Sequence, residues 1–398
     1  MLDKVQNKIS VNVSTNCGEK MEKKVKGIFQ NKRNSSIELL KIIAMFMIVI
    51  NHVTRSLQPP QFYSDAGYSI LLSSTPQNIQ EFILGLFCYF GPIGNSIFLI
   101  SSVWFLLDDN AIKKDKVKRL IIDTWVISVV LCAVFSVFGP AIVPKSYILR
   151  SFFPIIFSNN WYVTCYLLIY LVHPVLNVVV EKLEKKAFFT LTSGLFVAYF
   201  IIAFISENFL FYSNLIFFLS SYLIVGYIKK YFNKYVSNVK WNQRITLFSI
   251  CICILMHFVT MLFSKHNSAL SNRMLVWTSN NNPFTFFMAF SVFNIVRTME
   301  WKSGLINSIS SLTLLIYIIH ENLYVKSILR PFIWEKVYLS FGHSQLILID
   351  ILYSILLFVG ACMLAMAFKW INRKLVYKAL SPVIDCGMNI ITNAFNNL

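Results

Sequence analysis

Residues 37–53 read IELLKIIAMFMIVINHV. The run is apolar over nearly the ~20 residues that carry a helix across a bilayer. Inside it stand Glu38, Lys41 and His52. Each ionisable group near the centre of a spanning helix costs about 2.5–3.5 kcal/mol on insertion scales, so such groups are retained for a reason. A helix advances ~100° and ~1.5 Å per residue. Lys41 to His52 is therefore ~20° past three turns, and Glu38 to His52 ~40° short of four. All three side chains leave one face. Glu38 and Lys41 are close enough to pair, and His52 stands ~16 Å further along the axis.

The rest of the chain repeats the apolar theme. Of 398 residues, 56% are hydrophobic, 16% aromatic and only 14% charged. The mean hydropathy is +0.62. A soluble chain carries about 25% charged residues, so the composition excludes a soluble enzyme, a disordered regulator and a disulfide-stapled secreted domain. It predicts an all-α, polytopic membrane helix bundle. Further apolar runs place about ten transmembrane helices, over 37–55, 86–107, 119–140, 161–180, 187–206, 209–228, 244–263, 283–299, 305–323 and 346–370. Gly91, Pro92 and Gly94 are expected to interrupt the second. Residues 1–36 read as a basic tail, 37–371 as the membrane domain and 372–398 as a C-terminal tail.

The net charge of +18 follows from topology. With the N-terminus cytoplasmic, 27 of the 36 Lys and Arg fall on inner segments and eight on outer ones, while Lys41 lies within the first helix. This is the positive-inside asymmetry. It predicts both termini in the cytoplasm and no nucleic-acid partner. No internal repeat is evident, which counts against transporter folds built from duplicated halves. The outer loops 56–81 and 264–282 contain aromatic, Asn, Ser and Gln residues of the kind that line sugar-binding surfaces and ordinary loops alike. The eight cysteines form no C-x-x-C pair and have no neighbours at metal-ligand spacing, so no metal is expected.

Taken alone, Glu38 and Lys41 read either as interfacial residues reaching for the headgroups or as an intramembrane pair. His52 reads either as a histidine bonded across helices or as a general base, since burial favours the neutral ring that a base needs. His173, beside Pro174, reads as structural. His257 lies within an apolar run, and His266 and His343 lie in loops.

With its neighbours, the stripe resembles the integral-membrane acyltransferase family 3. In that family the first helix carries an acidic residue, an Arg three positions on, and a His after ten more. Glu38, Lys41 and His52 hold those places, with Lys for Arg, which keeps the charge but loses the planar fork. GPIGNSIFLISSVWFLL, residues 91–107, is similar to the family's second-helix block. Phe98 and Ser101 match it, and Ser102 stands where Gly is usual. Lys116 and Arg119 hold the spacing of two basic residues implicated in coenzyme A binding. NNWYVTCYLLIYLVHPVLN from Asn159, NNNPFTFFMAFSVF from Asn280 and LTLLIYIIHEN from Leu312, with its Tyr317-x-x-His320 pair, resemble later blocks.

The resemblance implies a bacterial plasma-membrane enzyme. It would move an acyl group, most simply acetyl, from acyl-CoA to a hydroxyl of a cell-surface polysaccharide or its lipid-linked precursor. By that resemblance His52 is the base, supported by Lys41 and Glu38. Lys41, Lys116, Lys118 and Arg119 are the expected contacts to the phosphates of the donor. Ser101, Trp161, Tyr162 and His320 are the expected substrate contacts, and Ser101, Trp161 and Tyr162 are positions for an oxyanion donor. The ~16 Å from Lys41 to His52 suits a long donor with phosphates low and thioester high. The competing readings are a non-enzymatic translocator of glycans or lipids, for which few intramembrane ionisable residues are present, and a glycan polymerase.

Overall fold

Asn34 starts the first helix by accepting a hydrogen bond from the Ser36 backbone N–H, 2.9 Å away. The helix, α1, runs Ser35–Arg55. The computed structural model describes residues 34–56, 79–139, 143–206, 213–263, 277–341, 345–377, 379–382 and 384–385. Residues 1–33 of the expected basic tail lie outside these, as do most of both long outer loops, His266, His343 and residues 386–398. The described residues are 85% helical, with no strand among them.

The second expected span forms as two helices in tandem, α2 (Ile79–Phe87) and α3 (Phe90–Leu106). The break falls at Cys88 and Tyr89, before the Gly-Pro residues. Pro92 is tolerated because it sits in the first turn of α3, where backbone N–H groups have no helical partner. The glycines have a different role from that expected. A Cβ on Gly94 would lie 2.7 Å from the Ala44 carbonyl oxygen, and one on Gly91 would lie 2.5 Å from Asn51 Oδ1. They allow α3 to press its backbone against α1, the small-residue packing by which membrane helices approach closely. The Asn51 amide also donates to the Cys88 carbonyl at 2.8 Å, tying α1 to the break.

Then follow α4 (Lys114–Phe138), the short α5 (Lys145–Phe152), α6 (Trp161–Lys182) and α7 (Lys185–Phe196), which continues through a π turn to Ile205. The remaining helices are α8 (Asn214–Tyr231), α9 (Val239–Phe263), α10 (Pro283–Arg297), α11 (Gly304–Ser310), α12 (Thr313–His320), α13 (Arg330–Phe341) and α14 (Leu346–Ile371). Among the described residues seven helical stretches are long and apolar enough to cross a membrane, or eight if α11–α12 and the helix after it form one span bent by 61°. Two expected spans fall short of that test. Expected 209–228 is α8, of 18 residues ending in Lys229, Lys230 and Tyr231. Expected 283–299 is α10, whose 15 residues reach only ~22 Å.

Helix α1 sits inside the bundle, touching α2, α3, α10, α11, α12 and α14. Ala44, Ile48, Val49 and Val53 are fully covered. The outer helices do the reverse. Leu247, Phe248, Leu255 and Phe263 of α9, and Leu348, Leu352, Leu356 and Met363 of α14, turn large apolar side chains outward. Such faces need lipid around them rather than water. Both described ends of the chain meet at one end of the bundle. Ser35 Oγ donates to Asn307 Oδ1 at 3.0 Å, Lys369 Nζ to Ser311 Oγ at 2.6 Å, and Lys118 of α4 pairs with Asp385.

Gly94→Val is expected to destabilise the bundle by about 1–3 kcal/mol through overpacking against α1, read as earlier thermal unfolding in detergent. Gly360→Ala, where a Cβ meets nothing within 4 Å, is the matched control and should unfold no earlier than wild type.

Candidate active site

The stripe on α1 meets one neighbour along its whole length. At the low end Glu38 and Lys41 pair at 3.6 Å, and Ser310, the last residue of α11, donates to Glu38. At the high end His52 Nδ1 lies 3.0 Å from Nε2 of His320, the last residue of α12. It also lies 3.2 Å from Glu321 Oε1. The shared face read from the spacing thus packs against α11–α12.

Hydrogen-bond directions settle the protons. His320 Nδ1 is 2.7 Å from the Ile316 carbonyl, which can only accept, so Nδ1 carries the hydrogen. In the neutral ring His320 Nε2 is then an acceptor. The hydrogen between the two rings therefore belongs to His52 Nδ1, which directs it at His320 Nε2 and at the Glu321 carboxylate. His52 Nε2 keeps its lone pair. The His52 side chain is 18% exposed, whereas His320 is fully covered. This is the arrangement by which a carboxylate orients a histidine base.

Glu321 is buried and would be costly there without a counter-charge. Arg330 supplies it, with Nη2 2.6 Å from Glu321 Oε1. The 61° bend after His320 makes this possible, because it turns the next helical segment out of line with α12 and lets Arg330 reach Glu321. Asn322 Oδ1 accepts from the Tyr324 backbone N–H within the bend. The ligating atoms of His52, His320 and Glu321 lie within 4.8 Å of one another, a donor set of metal-binding type. The Arg330 cation on the same carboxylate oxygen opposes a second cation there, and hydrogen bonds already account for both facing nitrogens.

At the opposite end of α12 an open cavity of about 1060 Å³ is lined by Lys113, Lys116 and Arg119 of α4 with its N-cap, by Lys369 and Arg373 at the end of α14, by Asn307, Ser308 and Ser311, and by Tyr166 of α6. Leu314 and Leu315 of α12 form its apolar wall toward the bundle interior. Five cations face two carboxylates, Asp115 and Asp123, so the cavity attracts anions. Lys116 Nζ stands 4.3 Å above the Tyr170 ring. Just outside the spanning segment, the hydrogen bond from Lys113 holds the Asp109 carboxyl below the usual carboxylate range.

The expected residues separate into groups. Lys116 and Arg119 reach the cavity. Lys118 turns away, bonded to Ser381 and paired with Asp385, whose carboxyl it holds below the ordinary range. Lys41 stays with Glu38 beside the cavity rather than among its lining residues. His320 joins His52. Tyr162 is buried, its ring 5.7 Å from that of Tyr317. Trp161 packs edge-on against Tyr162 and Phe218. Ser101 directs its hydroxyl to the Ile97 carbonyl of its own helix at 2.5 Å, so it is not presented as an oxyanion donor. His173 lies between the carbonyls of Tyr170 and Asp109, and His257 bonds the Phe82 carbonyl, so both join elements.

Four residues with a place in these sites escaped the sequence reading. Glu321 and Arg330 are nine residues apart across a bend that no periodicity announces. Lys369 and Arg373 read as a topology signal, although their i, i+4 spacing already put them on one face.

A family profile described as an acyltransferase domain matches residues 34–371 of the chain. No curated protein and no solved structure matches it.

Removing Arg330 should leave Glu321 as a buried, uncompensated charge. Arg330→Met is expected to cost about 3–5 kcal/mol of stability, measured as a fall in thermal unfolding temperature. Adding Glu321→Gln should recover part of that loss, as coupling within one ion pair requires.

Proposed function

Because the chain belongs to this acyltransferase family, and is an acyltransferase of multi-pass membrane architecture, we propose that it is an O-acyltransferase. It takes an acyl group, most simply acetyl, from acyl-CoA and transfers it to a hydroxyl of a cell-surface polysaccharide or of its lipid-linked precursor. It works in a bacterial plasma membrane, with about ten crossings and both termini in the cytoplasm. The observation that carries this reading is the pairing of two sites along α12: a cation-lined cavity at one end and a carboxylate-oriented histidine at the other.

Coenzyme A is a polyphosphate held in the cytoplasm. Lys116, Arg119, Lys369 and Arg373 offer its phosphates charge-assisted contacts at the cytoplasmic end. The acyl-pantetheine arm then runs inward past Leu314 toward His52. The acceptor hydroxyl gives its proton to His52 Nε2 as its oxygen attacks the thioester carbonyl carbon. The C–O bond forms and the carbonyl π pair moves onto oxygen. Collapse expels the sulfur as a thiolate, which recovers the proton from His52. Glu321 and Arg330 keep the imidazole in the required tautomer throughout. Glu38 and Lys41 fix the lower part of α1 against α11. The donor needs no metal, and neither step uses one.

The test is turnover of labelled acetyl-CoA by the full chain in lipid vesicles, with total cell-wall glycan as acceptor. His52→Ala is expected to abolish transfer. Lys116→Ala combined with Arg119→Ala should raise the KM for acetyl-CoA at least tenfold while largely preserving kcat, because phosphate contacts are made equally in ground and transition states. Glycan movement without thiol release would instead favour a translocator.

A further inference from the structure

Two buried tyrosines between the cavity and His52 have hydroxyl groups that donate no hydrogen bond among the described residues. Tyr317 is 2% exposed and Tyr162 is 7% exposed. Neither hydroxyl proton finds an acceptor among the described residues. A buried donor left unsatisfied costs about 1–3 kcal/mol, so two such hydroxyl protons together in a lipid-bounded interior call for an explanation.

Their places on the helices give one. On α12 Leu314 lines the cavity, Tyr317 stands one turn deeper, and His320, which bonds His52, one turn deeper again. Each step is three residues, ~4.5 Å along the axis. On α6, which runs the other way, Tyr166 lines the same cavity and Tyr162 stands one turn deeper. The two ladders converge at the same depth, where the Tyr162 and Tyr317 rings are 5.7 Å apart. The Tyr317 ring meets that of His320 edge-on, also at 5.7 Å. The Tyr317 oxygen faces the backbone N–H of Tyr162, which engages only a lone pair and leaves the O–H proton free to donate.

We propose that Tyr317, with Tyr162 beside it, is the oxyanion donor of the transfer reaction. Its hydroxyl hydrogen-bonds the thioester carbonyl oxygen as negative charge develops there. This inference rests on the acyl-CoA reading above and deepens it. In the step the acceptor oxygen bonds to the carbonyl carbon, and its proton passes to His52 Nε2. The carbonyl π electrons settle on the oxygen that Tyr317 and Tyr162 face. The pair returns as the C–S bond breaks, and the thiolate takes the proton from His52. The tyrosines donate hydrogen bonds and lose no proton. Donors already in place and shielded from water are the most effective form of such stabilisation.

The experiment uses the full chain in lipid vesicles, with acetyl-CoA and total cell-wall glycan, and compares wild type, His52→Ala, Tyr317→Phe and Tyr162→Phe. Phenylalanine keeps both rings and their packing. Tyr317→Phe is expected to lower kcat about 10²-fold, as loss of one oxyanion donor does, with coenzyme A affinity and thermal unfolding unchanged. Tyr162→Phe should lower kcat by a smaller factor. Full turnover in Tyr317→Phe overturns the inference. So does a loss matched by weaker coenzyme A binding or earlier unfolding, which marks the hydroxyl as structural. If wild type itself shows no His52-dependent thiol release, the acyl-CoA reading fails and takes this inference with it.

Discussion

A carboxylate enclosed by helices in a bilayer has no water to solvate it, so it must be neutralised from within the chain. Glu321 meets that constraint through Arg330, and much else follows from the pair. Arg330 reaches Glu321 only because the chain bends by 61° after His320. The bend ends α12 at His320, opposite His52. The carboxylate, once held, takes the hydrogen of His52 Nδ1 and turns the Nε2 lone pair outward. A single ion pair thereby fixes a backbone turn, a tautomer and the direction of the Nε2 lone pair.

The opposite end of the same helix has the opposite electrostatic character. Cations from α4 and α14, elements far apart in sequence, gather around one cavity. They can be close because both described ends of the chain meet at that end of the bundle, through Ser35–Asn307, Lys369–Ser311 and Lys118–Asp385. Lys118 illustrates how finely the division falls. It is two residues from Lys116 and so ~200° around the helix, and it serves the C-terminal segment instead of the cavity. The charge difference along α12 runs parallel to the charged stripe of α1, which packs against it.

Hydrogen bonds tie many of the buried polar groups into the architecture of the bundle. Ser101 and Thr124 bond carbonyls of their own helices, and Asn177 joins the Leu106 carbonyl to the Tyr222 hydroxyl. His173 and His257 bond backbone carbonyls of neighbouring elements or turns. These contacts hold helices together, as polar side chains in membrane bundles commonly do. Between the cavity and His52, by contrast, the hydroxyls of Tyr162 and Tyr317 donate to no described residue.

Much of this was legible before any coordinates. Composition and apolar run length determined an all-helical membrane protein, because only helices or closed barrels satisfy the backbone in lipid. The spacing of Glu38, Lys41 and His52 determined a shared face, because the helical repeat is rigid. The motif order along the chain determined the family, and the match over residues 34–371 agrees with it. Tertiary structure alone decided which residues act together. Glu321 could be assigned to His52 only once a bend brought Arg330 within reach of it, and Gly94 read as a breaker until Ala44 was seen against it. Lys118 and Ser101 looked equivalent to their neighbours until their partners were in place. The physical reason is common to all four. Periodicity reports a residue's direction around its own helix, whereas a hydrogen bond or ion pair depends on which other helix stands there, and that is settled by packing across the whole bundle.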